Sequence, residues 1–101
     1  MNIKEQAALN SIVESQCFED ILTKTEEELN ELFAAIKAIK VHREEILPRA
    51  ELFDLLQEMA DVDICIRKIN SSLNTTNEFK ALRRYKLYRT LRENDDANCD
   101  I

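Results

Sequence analysis

The sequence predicts an all-α domain of four helices, and three observations lead to that prediction. The 101 residues contain no Gly and one Pro, so the chain has few residues that favour turns. Its commonest residues include the strong helix formers Leu, Glu, Lys and Ala. Apolar residues also recur at helical spacing over long stretches. A chain of this length has a thin core as a monomer, so we expect a partner subunit to cover part of it.

The first two predicted helices occupy the N-terminal half of the chain. The first covers about residues 3–15, and Ser15 and Gln16 mark a break after it. The second covers about residues 18–43. Its predicted inner face consists of Leu29, Leu32, Phe33, Ile36 and Ile39.

The third and fourth predicted helices follow the only proline. Pro48 disfavours helix in the residue before it and can begin the next helix, so the third helix is expected at about residues 48–73. The segment "NSSLNTTNE" separates it from a basic helix at about residues 77–92. We expect one domain over residues 1–93 and a frayed polar tail over 94–101. The predicted inner face of the third helix consists of Leu52, Leu55, Leu56, Met59, Val62, Ile66 and Ile69.

Charge and composition exclude several classes of protein. Residues 79–92 hold six basic residues and no acid, although the whole chain has a net charge of −6. The rest of the chain is strongly acidic, which disfavours nucleic-acid binding because contacts to phosphates need a basic surface. The chain has no apolar run long enough for a membrane span, no signal-peptide core and no CxxC pair among its three cysteines. We therefore expect a cytoplasmic protein with neither a nucleic-acid nor a membrane partner.

Two acidic segments, "EEELNEL" and "EMAD", are placed so that their carboxylates converge. Glu28 and Glu31 lie one turn apart, as do Glu58 and Asp61, and each pair borders the apolar stripe of its helix. If the two long helices form an antiparallel hairpin, the pairs differ in height by only roughly 4 Å. Lys24 lies four residues before Glu28 and is expected to form an ordinary ion pair with it.

Four converging carboxylates repel each other, so either some of them are protonated or cations bind there. An all-oxygen group without His or Cys suits Mg²⁺ or Mn²⁺ rather than Zn²⁺. Mg²⁺ held by a few carboxylates keeps coordination positions open for water and substrate phosphates, so the pattern indicates phosphate chemistry with a metal-activated water molecule. Because 20 of the residues are acidic, a pattern this loose also arises by chance.

The same segments resemble the EExxE, gap, ExxD signature of the all-α nucleoside triphosphate pyrophosphohydrolases, the MazG-like superfamily. That group includes the dimeric dUTPases and phosphoribosyl-ATP pyrophosphohydrolase. The gap between Glu31 and Glu58 is 26 residues, which is within the range of the family. Farther on, "YKLYRTLRE" is similar to the basic final helix of short, phage-type members. The resemblance covers about residues 18–93.

The resemblance implies a homodimer or homotetramer that hydrolyses a nucleoside triphosphate between its α and β phosphates. The products would be the monophosphate and pyrophosphate. Glu27 corresponds to the leading Glu of the signature, which would orient or deprotonate water. The implied ligands of Mg²⁺, for which Mn²⁺ can substitute, are Glu28, Glu31, Glu58 and Asp61.

Three basic residues are candidate contacts for the substrate phosphates. Lys68 lies two turns beyond Asp61. Instead of binding phosphate, it could form a surface ion pair with Asp61 or Glu58. Lys86 and Arg89 match the terminal basic residues of the family and could neutralise the β and γ phosphates. Alternatively, these two residues belong to a solvated basic face that forms ion pairs with the acidic rest of the protein.

Two other classes of function remain open at the level of the sequence. A non-catalytic helical interaction module would use its acidic and basic faces for docking between subunits. A nucleic-acid-associated regulator would use the basic helix instead. Convergence of the four acids within metal-bridging distance separates the enzyme from the interaction module. The base and the sugar of the substrate stay unassigned, because residues 16–26 do not align with the family.

Overall fold

The computed structural model describes residues 1–42 and 46–99, with side chains described through residue 95. Over these residues the chain is helical and contains no strand, so the all-α prediction is confirmed. None of the described helices is both long and apolar enough to cross a membrane. The elements are α1 (Ile3–Ser15), α2 (Phe18–Lys40), α3 (Arg49–Leu73) and α4 (Thr76–Cys99).

The helix boundaries agree with the sequence except at two ends. Helix α2 ends at Lys40, whereas the predicted end at residue 43 lies outside the described residues. Helix α4 continues to Cys99, past the predicted end near residue 92. Neither Pro nor Gly interrupts this stretch, and Arg89 Nε donates to Glu93 Oε1 one turn on, at 3.2 Å. Of the frayed tail expected over residues 94–101, residues 94–99 are helical, and residues 100 and 101 lie outside the described residues.

Asn74 makes the sharp turn between α3 and α4. Its backbone is left-handed, with φ of 56°, a conformation that Asn tolerates better than most residues other than Gly. The Thr75 N–H donates to the carbonyl of Asn70 at 3.0 Å, which closes the end of α3. Because the chain has no Gly, Asn takes the position that Gly occupies in many helix ends.

The core lies where α2 and α1 pack against α3. The buried apolar residues in the described part of the chain are Leu9, Ile21, Val62 and Cys65. Of the residues predicted to face inward, several are half-buried, namely Leu32, Ile39, Leu55, Ile66 and Ile69. For six other residues the prediction of an inward-facing side chain is wrong, because they are exposed in the single chain. They are Leu29, Phe33, Ile36, Leu52, Leu56 and Met59. The physical reason is that α2 and α3 each cover only part of the apolar face of the other helix. Helix α1 covers only part of the apolar surface that α2 and α3 leave open.

Helices α2 and α3 contact each other both near the segment that connects them and farther from it. His42, just after α2, pairs with Glu51 in the first turns of α3. Farther from the connection, Glu28 and Glu31 on α2 meet Glu58 on α3. These contacts determine which turns of the two helices face each other, and they position the acidic residues.

Helix α4 extends away from the other three helices. Every residue from 76 to 95 is exposed, and α4 contacts the remaining helices through α3. The chain is accordingly elongated, measuring 52 × 34 × 25 Å. Exposed apolar side chains on α4 include Leu82, Tyr85, Leu87, Tyr88 and Leu91.

Candidate metal centre

Three glutamates from two helices form one group, which we call the acidic group: Glu28, Glu31 and Glu58. One carboxylate oxygen of each lies within 4.8 Å of the others. Glu28 and Glu31 share a face of α2 because three residues amount to nearly one helical turn. The packing of α2 on α3 then brings Glu58 opposite them.

The acidic group reaches from the protein interior to the surface. Glu28 is only 6% exposed, Glu58 is half-buried, and Glu31 is exposed. The Oε2 atoms of Glu28 and Glu58 are buried and have no hydrogen-bond partner among the described residues. A buried carboxylate oxygen without a hydrogen-bond donor destabilises a protein, so a donor or a cation beside these two atoms would be stabilising.

Lys24 is the counter-ion that the chain itself provides. Its Nζ lies 2.9 Å from Glu28 Oε1 and 3.7 Å from Glu27 Oε2, so the predicted ion pair with Glu28 is confirmed. The hydrogen bond from Lys24 lowers the pKa of Glu28, and the same bond raises the pKa of Lys24. Lys24 thus favours the ionised form of Glu28 through one of its two carboxylate oxygens.

Glu58 behaves in the opposite way. Burial raises the pKa of Glu58, and the nearby charges of Glu31, Asp61 and Glu28 raise it further. The acidic group therefore has more negative charge than Lys24 can balance. A proton on Glu58 or a bound cation would relieve that excess.

Two further predicted site residues lie at the edge of the acidic group. Asp61 is exposed and is not among the three whose oxygens converge, although its charge acts on the pKa of Glu58. Glu27 has a side chain that is 60% exposed, and it faces Lys24. The structure thus places both residues nearer to solvent than Glu28.

The predicted basic residues are not brought to the acidic group within one chain. Lys68 is half-buried but makes no ion pair with a described acid. Lys86 and Arg89 are exposed on α4, and Arg89 pairs with Glu93 instead. In the described part of the chain α4 does not contact α2, which carries two of the three glutamates.

Comparison of the chain with protein-family models, with curated proteins and with solved structures finds no match. The family resemblance of the two acidic segments therefore stays a prediction. What the acidic group can do follows from its geometry. Three carboxylates from two helices, two of which have a buried oxygen with no hydrogen-bond partner among the described residues, form a set of ligands that suits a hard divalent cation.

Replacing Glu58 by Gln is expected to stabilise the metal-free protein. The folded-state pKa of Glu58 is raised, so its ionisation opposes folding, and this penalty appears as pH rises through that pKa. Gln keeps the shape of the side chain and removes the charge. The midpoint of thermal unfolding in EDTA should therefore exceed that of the wild type at neutral pH, and the difference should shrink as the pH is lowered.

The control for this measurement is Glu26→Gln, which removes an exposed carboxylate from α2. It should not reproduce the pH-dependent gain. A Glu58→Gln variant that unfolds at a lower temperature than the wild type at every pH would contradict the electrostatic account.

Proposed function

We propose that the protein is a Mg²⁺-dependent nucleoside triphosphate pyrophosphohydrolase that converts a (d)NTP to the (d)NMP and pyrophosphate. The convergence of Glu28, Glu31 and Glu58 within 4.8 Å is the observation that carries this proposal. A non-catalytic interaction module predicts that the acids point to separate solvent faces. The burial of Glu28 and Glu58 beside each other favours the metal centre over that alternative.

The pairing of α2 with α3 supports the MazG-like resemblance. His42 meets Glu51 near the connection, and Glu28 and Glu31 meet Glu58 farther from it, as in an antiparallel hairpin. That arrangement is the one in which the two acidic segments of the family signature face each other. Together with the segment spacing, it makes hydrolysis of a phosphoanhydride the best-supported reaction class.

The roles proposed for the acidic residues follow from their burial. Glu28 and Glu58 would hold Mg²⁺ or Mn²⁺ from the interior side, and Glu31 and Asp61 from the solvent side. When bound, the cation would stabilise negative charge on the phosphate oxygens and make a water molecule more acidic. Glu27, which is exposed beside the group, would accept the proton of the attacking water.

The exposed area of the chain supports a homo-oligomer, either a dimer or a tetramer. The chain exposes 8452 Å² for a mass of 11.8 kDa. A folded monomer of that mass is expected to expose about 5,900 Å². The excess of about 2,500 Å² is comparable to what one subunit buries in a large obligate interface.

Charge indicates how the subunits associate. The far half of α4 combines exposed Leu87, Tyr88 and Leu91 with several cations and no acid before Glu93. Two such helices would repel each other, whereas the outer face of α2 and α3 is apolar and lies in the acidic part of the chain. We therefore expect α4 of one subunit to cover α2 and α3 of another. Lys86 and Arg89 would then approach the acidic group across the interface.

The activity is tested with a panel of canonical and modified nucleoside triphosphates in Mg²⁺. We expect the wild type to release pyrophosphate, and Glu58→Gln to reduce the rate by about 100-fold or more, since even the loss of a group that hydrogen-bonds to a metal ligand costs about 10–100-fold. Glu26→Gln should retain activity. Release of orthophosphate in place of pyrophosphate, or equal rates for Glu58→Gln and the wild type, would contradict the proposed reaction.

The interface is tested by replacing both Leu87 and Leu91 with Glu. The double variant should elute as a monomer in size-exclusion chromatography with light scattering, because the change removes apolar area and places acids opposite an acidic face. Replacing the exposed α1 residues Asn10 and Ser11 with Glu adds the same charge elsewhere and should leave the oligomer intact. A wild-type protein that is monomeric at micromolar concentration would refute the oligomer.

A further inference from the structure

A cavity lies on the other side of α3 from the acidic group. It has a volume of about 310 Å³ and is bordered by α1, α3 and the start of α4. At 100° per residue, Arg67 lies about 180° around α3 from Glu58, so the two sites do not overlap. We call this cavity the basic cleft, and the lining residues that matter here are Asp63, Arg67, Asn70, Asn74, Lys80 and Arg83.

The basic cleft concentrates positive charge in an acidic protein. Three of its lining residues are cations and one, Asp63, is an acid. Asp63 Oδ2 lies 2.9 Å from Arg67 Nε, so this acid is already paired. Lys80 and Arg83 form no ion pair in the described ranges, although the chain has 20 acidic residues. Lys80 and Arg83 therefore lie one turn apart beside a cavity whose single acidic lining residue, Asp63, is already paired with Arg67.

Contacts within the fold help to position Arg83 and the neighbouring amides. The Arg83 guanidinium lies 5.6 Å from the centroid of the Phe79 ring, which also lines the cleft. Asn70 Oδ1 accepts a hydrogen bond from Thr75 Oγ1 at 2.9 Å, so its amide N–H groups remain available as donors. Asn74 lies in the left-handed turn that joins the two sides of the cleft. Cationic and amide donors thus occur together in one cavity.

We propose that the basic cleft binds a small phosphorylated anion. Arg83 would form paired hydrogen bonds to phosphate oxygens, as guanidinium groups commonly do, and Lys80 would add a point charge. Asn70 would donate to a further oxygen of the ligand. The volume is near the lower end of the range for small-molecule sites, which fits a ligand of about the size of pyrophosphate or a mononucleotide. This site is independent of the acidic group and of any metal bound there.

The test titrates the full chain with inorganic pyrophosphate in EDTA, so that no divalent cation can recruit the anion to the acidic group. We expect saturable binding by isothermal titration calorimetry. In ¹⁵N-resolved NMR spectra, the side-chain amides of Asn70 and Asn74 should shift. Binding should weaken at least tenfold when Lys80 and Arg83 are both replaced by Gln, and should be unchanged in Glu58→Gln.

The matched control replaces Arg84 and Arg92 with Gln, which removes the same charge from α4 outside the cleft. This control should bind pyrophosphate like the wild type. Equal weakening in the two double variants would show a general electrostatic attraction and overturn the site. Absence of saturable binding by the wild type, or shifts confined to residues outside the cleft, would overturn it as well.

Discussion

The packing of α2 against α3 is the constraint on which the rest of the molecule depends. It buries Ile21, Val62 and Cys65, and the same contact forces Glu28 and Glu58 together at the edge of the core. Apolar burial stabilises the contact, and carboxylate repulsion opposes it. The pKa values of Glu28 and Glu58 consequently shift in opposite directions. The hydrogen bond from Lys24 lowers the pKa of Glu28, whereas burial and the neighbouring carboxylates raise the pKa of Glu58. A divalent cation would relieve this local conflict.

The same packing leaves part of the apolar surface of the chain uncovered. Two long helices and a short one leave a broad apolar surface open, on which Phe33 and Met59 are at least half exposed. Helix α4 does not cover that surface, since the turn at Asn74 directs it away from the other helices. The two ends of α4 consequently face different surroundings. Its start borders the basic cleft with Lys80 and Arg83, and its far half presents Leu87 to a second subunit in our proposal.

Sequence periodicity is sufficient to predict the four helices, because they depend on spacing along the chain. It also predicts that four acids converge, and the structure brings together Glu28, Glu31 and Glu58 but leaves the exposed Asp61 outside the group. It could not rank the acids by burial, since that depends on how deeply α2 and α3 interlock. It also misplaced Met59, because a helical wheel identifies an apolar face but not whether another element of the same chain covers it. The basic cleft depends on the direction of α4 after Asn74, which no local pattern predicts.

Binding of Mn²⁺ to the metal-free chain is the most direct test of the claim that the acidic group is a metal centre. Titration followed by electron paramagnetic resonance measures free Mn²⁺ without requiring a substrate. The account predicts saturable binding by the wild type, about tenfold or more weaker binding by Glu28→Gln, and unchanged binding by Glu26→Gln. Equal affinity of Glu28→Gln and the wild type for Mn²⁺ would contradict it, as would a wild type that leaves all Mn²⁺ free.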